Sequence, residues 1–193
     1  MKKYINKVIL TALLATSPLL AADDSMYEFE SHSLVAFEGG YSNFDVESTE
    51  TPPLRESYKF GYGGIKIGAQ TENYRLFLSG RYCSIDDFDY AYMMGVEAQY
   101  LFNFSSFANL YLGINAGMAE MRVVDAANKT RDVSDPYVGG DIGFNIHLGK
   151  TVDLELGARV MSLDAENTID DVTYKFDSIT SGYVSLIFKY QMD

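Results

Sequence analysis

Apolar and polar residues alternate along much of this chain with a period of two. In "PYVGGDIGFNIHLGK", Pro136 to Lys150, the residues Val138, Gly140, Ile142, Phe144, Ile146 and Leu148 fall on one side of an extended chain. Tyr137, Gly139, Asp141, Gly143, Asn145 and His147 fall on the other. Successive strand side chains point to opposite faces, so this segment predicts a strand with one apolar face and one small, polar face. Seven further segments carry the same signal between turn residues: 33–44, 58–70, 74–84, 91–102, 108–122, 152–163 and 179–190. They exceed the five or six residues usual for soluble sheets and reach the roughly 9–11 that a tilted strand needs to cross a bilayer.

The connections predicted between these segments alternate in length. "TEN", "NFSSF" and "GKT" are tight, whereas 45–57, 85–90, 123–136 and 164–177 are long. Short turns at one end and long loops at the other describe an up-and-down meander of the kind found in bacterial outer-membrane barrels. Alternation alone also fits a soluble barrel that keeps its apolar face inside around an apolar ligand. The two faces decide between them. Tyr74, Leu76, Leu78 and Tyr82 oppose Arg75, Ser79 and Arg81, and Leu154, Leu156 and Val160 oppose Asp153, Glu155 and Arg159. Aromatic residues bracket the apolar stripe, as in Tyr92 with Tyr100 and Phe102, or Phe188 with Tyr190, the arrangement of a membrane-interface girdle. The expected fold is therefore all-β, an eight-stranded antiparallel up-and-down transmembrane β-barrel, with Lys66, Arg75, Arg81, Glu97, Asp141, Asp153, Glu155 and Arg159 forming a mixed-sign charge network in a filled lumen. The Gly63–Gly64 pair is expected to make a bulge or kink that shifts the alternation between Phe60/Tyr62 and Ile65/Ile67.

The chain begins differently. Lys2, Lys3 and Lys7 precede an apolar run from Val8 to Leu20 and small residues at Ala21 and Ala22, the order of a secretory signal peptide. Residues 1–21 are assigned to that leader, 22–32 to a short periplasmic tail, and 33–193 to the barrel. Loss of the leader takes the formal charge from −12 to −15, since three lysines leave with it. Such an acidic chain is a poor partner for nucleic acid. Cys83 is the only cysteine and His32 and His147 the only histidines, so neither an internal disulfide nor a zinc-ligand cluster can form.

The chain resembles the small eight-stranded outer-membrane barrels of the OmpX type and the membrane domain of OmpA. The residues carrying the likeness are "AFEGGYSN", "GYGGIKIGAQ", "YVGGDIGFNIHLG" and the closing "GYVSLIFKY". The last resembles a C-terminal insertion signal, with Val184, Leu186, Phe188 and Tyr190 on one face, although "QMD" follows where the family ends on an aromatic residue. The resemblance implies export to the outer membrane of a Gram-negative cell, contact with outer-membrane lipids and lipopolysaccharide, and handling by the outer-membrane assembly machinery. It marks the architecture well and individual function poorly.

Little in the sequence suggests catalysis. Lipid A deacylases share this architecture and use a Ser/His pair facing lipid near the external leaflet, but His147 has the opposite facing and the opposite end, so a hydrogen-bonded lumen histidine is expected. Cys83 reads as a small lumen residue. Asp86, Asp87 and Asp89, and Asp164, Glu166, Asp170 and Asp171, cluster in predicted loops and could share divalent cations, although solvated acidic loops are the simpler reading. No catalytic, cofactor or metal site is assigned. The expected role is a non-enzymatic outer-membrane surface protein, structural or acting through its long loops on an extracellular ligand or host surface. A lipid-modifying enzyme and a narrow channel are the alternatives.

Overall fold

The computed structural model describes residues 31–48, 55–85, 88–124, 130–169 and 172–191. The expected leader and most of the expected tail lie outside them. The strands are β1 (His32–Ser48), β2 (Arg55–Gln70), β3 (Tyr74–Ile85), β4 (Phe88–Asn103), β5 (Ala108–Val124), β6 (Thr130–His147), β7 (Val152–Ile169) and β8 (Val172–Tyr190). Each pairs antiparallel with its neighbour in sequence, and β8 returns to β1, closing the barrel. Closure leaves no unpaired sheet edge.

The register fixes the shape of the cylinder. Partners followed from Leu34 run through Gly68, Phe77, Glu97, Asn115, Gly139, Met161 and Ile179 and come back to β1 at Phe44, ten residues further along. With a rise of ~3.3 Å per residue and strands ~4.8 Å apart, that stagger tilts the eight strands by about 40° to the axis. A barrel of this size has an interior that side chains can fill.

Most strands are longer than the alternation predicts, chiefly at the long-loop end, while β6 stops at His147, short of the predicted Lys150. β1 and β2 pair as far as Glu47 and Arg55, and β7 and β8 as far as Ile169 and Val172. Much of what reads as long loop is thus hairpin. Polar residues occupy both parities there, as in Asp45 and Glu47 beside Ser48, so the period-two signal fades while backbone pairing continues.

Gly63–Gly64 makes no bulge. The β1–β2 register runs unbroken through the pair, with Gly39 opposite Gly63 and Glu38 opposite Gly64. Phe60 and Tyr62 simply face inward, in phase with Lys66. Gly64 is lumenal by the same parity, and it lacks a side chain where the stem of Arg81 fills the space: a Cβ there would meet the Gly80 carbonyl oxygen at 2.8 Å and Arg81 Cγ at 3.1 Å. Gly63 faces open space outside. The register shifts that do occur lie at Asp45/Val46, Cys83/Ile85, Phe88/Tyr90 and Ser162/Ala165, all toward the long-hairpin end.

The outward face is a belt of exposed apolar side chains on every strand, including Phe37, Ile67, Leu78, Val96, Ile114, Ile142, Leu156 and Val184. On β4 it spans Tyr92 to Phe102, roughly 25 Å along the axis at this rise and tilt, which matches the apolar band of a membrane barrel. At the tight-turn margin, Tyr74 meets Tyr100 edge-on at 5.2 Å, Tyr100 meets Phe102 at 4.8 Å, and Phe37 meets Phe188 at 6.3 Å. Water-soluble monomers do not expose contiguous apolar surface on this scale.

Candidate functional site

The lumen holds the chemistry. All eight charged residues that the alternation assigns to the interior are buried there. The register brings them together from five strands. Lys66 on β2 reaches Glu155 Oε1 on β7 at 2.6 Å and Glu97 Oε2 on β4 at 3.9 Å. Arg81 on β3 bonds Glu97, and Arg159 on β7 donates through Nη2 to both Glu97 oxygens at 3.2 Å. Arg75 on β3 donates through Nη1 to Glu155 Oε2 at 3.0 Å and to Asn145 Oδ1 at 3.2 Å, and through Nε to Gln70 at 2.9 Å.

The residue at the centre is one the sequence reading does not single out. Glu38 on β1 accepts from Arg81 Nε at 2.7 Å and from Arg159 Nη1 and Nη2 at 3.0 and 3.3 Å, and pairs with Lys66 Nζ at 3.0 Å. Strict parity marks it: Leu34, Ala36, Glu38 and Ser42 are all buried while Phe37 and Tyr41 are exposed. The signal was obscured because the inward positions around Glu38 are Ala36 and Gly40, which look no more polar than the outward ones.

Toward the tight turns a second group gathers on Asp153. Its Oδ1 accepts from Lys189 Nζ at 2.8 Å and lies 2.8 Å from His147 Nδ1, while Arg75 Nη2 stands 3.8 Å from Oδ2. His147 is therefore a hydrogen-bonded lumen histidine at the tight-turn end, as expected. Asp141 is held by amides, Gln99 Nε2 at 2.9 Å and Asn115 Nδ2 at 3.1 Å. Lys66, Arg75, Arg81, Arg159 and Lys189 thus face Glu38, Glu97, Asp141, Asp153 and Glu155, equal numbers of each sign when His147 is neutral. An ion moved into low dielectric loses several kcal/mol of hydration, about what a single contact returns, so the shared, multidentate pairing is what makes these residues tolerable inside.

Aromatic rings complete the packing. Arg159 lies over Tyr183 at 4.4 Å from the ring centroid, and Lys66 sits 5.0 Å from Phe77 and 5.2 Å from Tyr183. Tyr183 and Tyr111 share a hydroxyl hydrogen bond of 2.7 Å across the lumen. Lumenal glycines make room for these rings. A Cβ at Gly157 would clash with the Tyr111 hydroxyl and come within 2.6 Å of Tyr183 Cζ. Above the ionic layer, toward the long hairpins, the described lumen is largely apolar: Phe60, Met93, Met161, Leu163 and Ile179 are buried together with Cys83, beside a Ser42–Ser181 hydroxyl pair at 2.7 Å. The polar inward face anticipated from the sequence is thus ionic only in its middle and lower parts.

Among the described residues, no group of three or more His, Cys, Asp or Glu side chains is arranged to hold a metal ion. The acidic cluster positions Asp86, Asp87, Asp170 and Asp171 lie outside the described residues, as do the side chains of Asp89, Asp164 and Glu166.

No protein-family model and no curated protein matches the chain. Solved structures do. Neisserial surface protein A superposes with a TM-score of 0.56 at 18% identity, over 81% of this chain and 99% of that one. The outer membrane protein OprG from Pseudomonas aeruginosa superposes with a TM-score of 0.51 at 11% identity, over 86% of this chain and all of the other. These similarities establish the fold, that of the small eight-stranded outer-membrane barrels.

Proposed function

We propose that this chain is a non-enzymatic surface protein of the Gram-negative outer membrane, with a lumen closed to general diffusion and with its contacts to other molecules made at the long-hairpin end. The ion network carries this reading. A conducting pore lines its channel with hydrated charge, whereas here Arg75, Arg159, Lys66 and Glu97 are at most 1% exposed and bond one another across the axis. The apolar belt and its aromatic margin support residence in a bilayer, in contact with outer-membrane lipids and lipopolysaccharide. Val184, Leu186 and Tyr190 lie exposed on the outward face of β8, where the outer-membrane assembly machinery would read them during insertion.

A non-enzymatic role is favoured by the surroundings of the one described histidine near ionisable partners. His147 contacts Asp153 at the end opposite the long hairpins, with the ring turned into the barrel. A general base acting on lipid must reach a nucleophile and an acyl ester outside the wall. Planar-bilayer recording tests the closed lumen: the expected trace shows no large, stable unitary current, and such currents would favour the channel instead. Mass spectrometry of lipid A from cells with and without the protein tests the enzyme alternative, with an unchanged acyl pattern expected.

A further inference from the structure

The three tight turns differ in what they show to their surroundings. The β2–β3 turn is Thr71, Glu72 and Asn73. The β6–β7 turn carries Lys150. The β4–β5 turn, Phe104 to Phe107, has no charged residue and exposes two phenyl rings, Phe104 by 63% and Phe107 by 66%. Those rings continue the girdle of Tyr74, Tyr100 and Phe102 past the ends of the strands, and Leu148, 60% exposed at the neighbouring turn, lies alongside. The register sets the turn beside β6, where His147 N–H donates to the Phe107 carbonyl at 2.8 Å.

Polar groups at this turn bond within the protein, to one another and to the neighbouring turn. Asn103 Nδ2 donates to the Glu72 carbonyl at 2.9 Å, Asn109 Nδ2 donates to Asn103 Oδ1 at 3.2 Å, and Phe107 N–H donates to Ser105 Oγ at 3.3 Å. The β2–β3 turn is bonded in the same way, through Thr71 Oγ1, Asn73 Nδ2 and the Tyr74 N–H, so the two exposed rings and the lack of charge are what set the β4–β5 turn apart and suit it to the edge of a bilayer. Phenyl rings at that boundary bury their apolar area against the acyl chains, as Phe, Trp and Leu do on interfacial helices.

We infer that the β4–β5 turn is immersed in the periplasmic leaflet, with Phe104 and Phe107 seated at the boundary between phospholipid headgroups and acyl chains. The barrel is therefore anchored more deeply on the β4–β5 side, while the Glu72 turn stays in water. This rests on the membrane reading above. The occupant is phospholipid because the patch is continuous with the lipid-facing belt.

The chain contains no tryptophan, so a single introduced indole reports one position only. Phe104→Trp and Phe107→Trp, each in the full mature chain, would be refolded into phosphatidylcholine vesicles carrying bromine at graded depths along the acyl chain. Val96→Trp marks the middle of the belt and Glu72→Trp the water. Unheated gel mobility checks that each variant is folded. The expected result is blue-shifted emission from both Phe→Trp probes, quenched most by shallow bromine, with Val96→Trp quenched most by deep bromine and Glu72→Trp quenched by aqueous iodide. Phe→Trp probes as open to iodide as Glu72→Trp, beside a quenched Val96→Trp, would overturn the inference and leave the membrane reading standing. Protection of the turn in whole envelopes but not in lipid vesicles would assign it to a protein partner, which also overturns it. An unquenched Val96→Trp would defeat the membrane reading itself.

Discussion

Replacing Glu38 with glutamine isolates the contribution of the lumen network. The side chain keeps its size and position, so packing is preserved and only the charge leaves. Glu38 is buried and pairs with Lys66, Arg81 and Arg159 at 2.7–3.3 Å. After substitution those three cations share Glu97 and Glu155, and the network they form lacks one compensating negative charge. Breaking a buried ion pair by removing one partner costs about 3–5 kcal/mol, against about 0–1 kcal/mol for an exposed pair. Glu38→Gln is therefore expected to lower the unfolding free energy by roughly 3–5 kcal/mol. The double variant Glu38→Gln/Lys66→Met restores equal charge and is expected to recover a large part of that loss, a non-additivity diagnostic of coupling. The assay is equilibrium urea unfolding of barrels refolded in lipid vesicles, followed by far-ultraviolet circular dichroism and unheated gel mobility, approached from both the folded and unfolded sides. A loss below about 1 kcal/mol for Glu38→Gln, the level of an exposed pair, would refute the reasoning.

Other expectations can be checked in the same system. Gly157→Ala forces a methyl group into the Tyr111 hydroxyl and the Tyr183 ring, and should cost about 1–3 kcal/mol by overpacking, whereas Gly63→Ala, facing open space, should change stability by no more than about 0.5 kcal/mol in the same urea series. Ile142→Arg sets a charge on the exposed middle of the belt and should cost roughly 2–4 kcal/mol in vesicles, with Lys59, at the upper margin, a tolerant position by comparison. Cys83 is fully buried, so a bulky maleimide should leave the folded barrel unmodified and label it stoichiometrically in denaturant; rapid labelling of folded protein would place Cys83 outside the packed lumen.

The architecture was legible because one physical rule acts on every strand. Lipid on one side and a narrow polar cylinder on the other impose period two, and that parity correctly sorts Ile142 from Asp141, Leu156 from Glu155 and Met94 from Met93. The rule weakens where either surrounding changes. Phe60 and Tyr62 are apolar yet lumenal, because the upper lumen is packed with Met93, Met161 and Ile179, and this suggested a kink at Gly63–Gly64 that does not exist. Beyond the belt both faces carry polar residues, so the long hairpins read as loops. Glu38 meets a second obstacle besides the weak contrast of its inward neighbours Ala36 and Gly40. Parity gives the facing of a single residue, but its place at the hub depends on the stagger of ten residues around the barrel, which carries Arg81, Lys66 and Arg159 to its height. No local pattern contains that stagger.

The central claim is that the apolar face of the closed barrel meets lipid while the ions occupy its axis. Its most direct test is to express the full chain in a Gram-negative host, isolate outer membranes, wash them with alkaline carbonate, and compare heated with unheated samples by gel electrophoresis. The account predicts that the protein stays with the membrane through the wash and migrates as a compact band until boiled. Release into the carbonate supernatant as a folded, detergent-free species would contradict it.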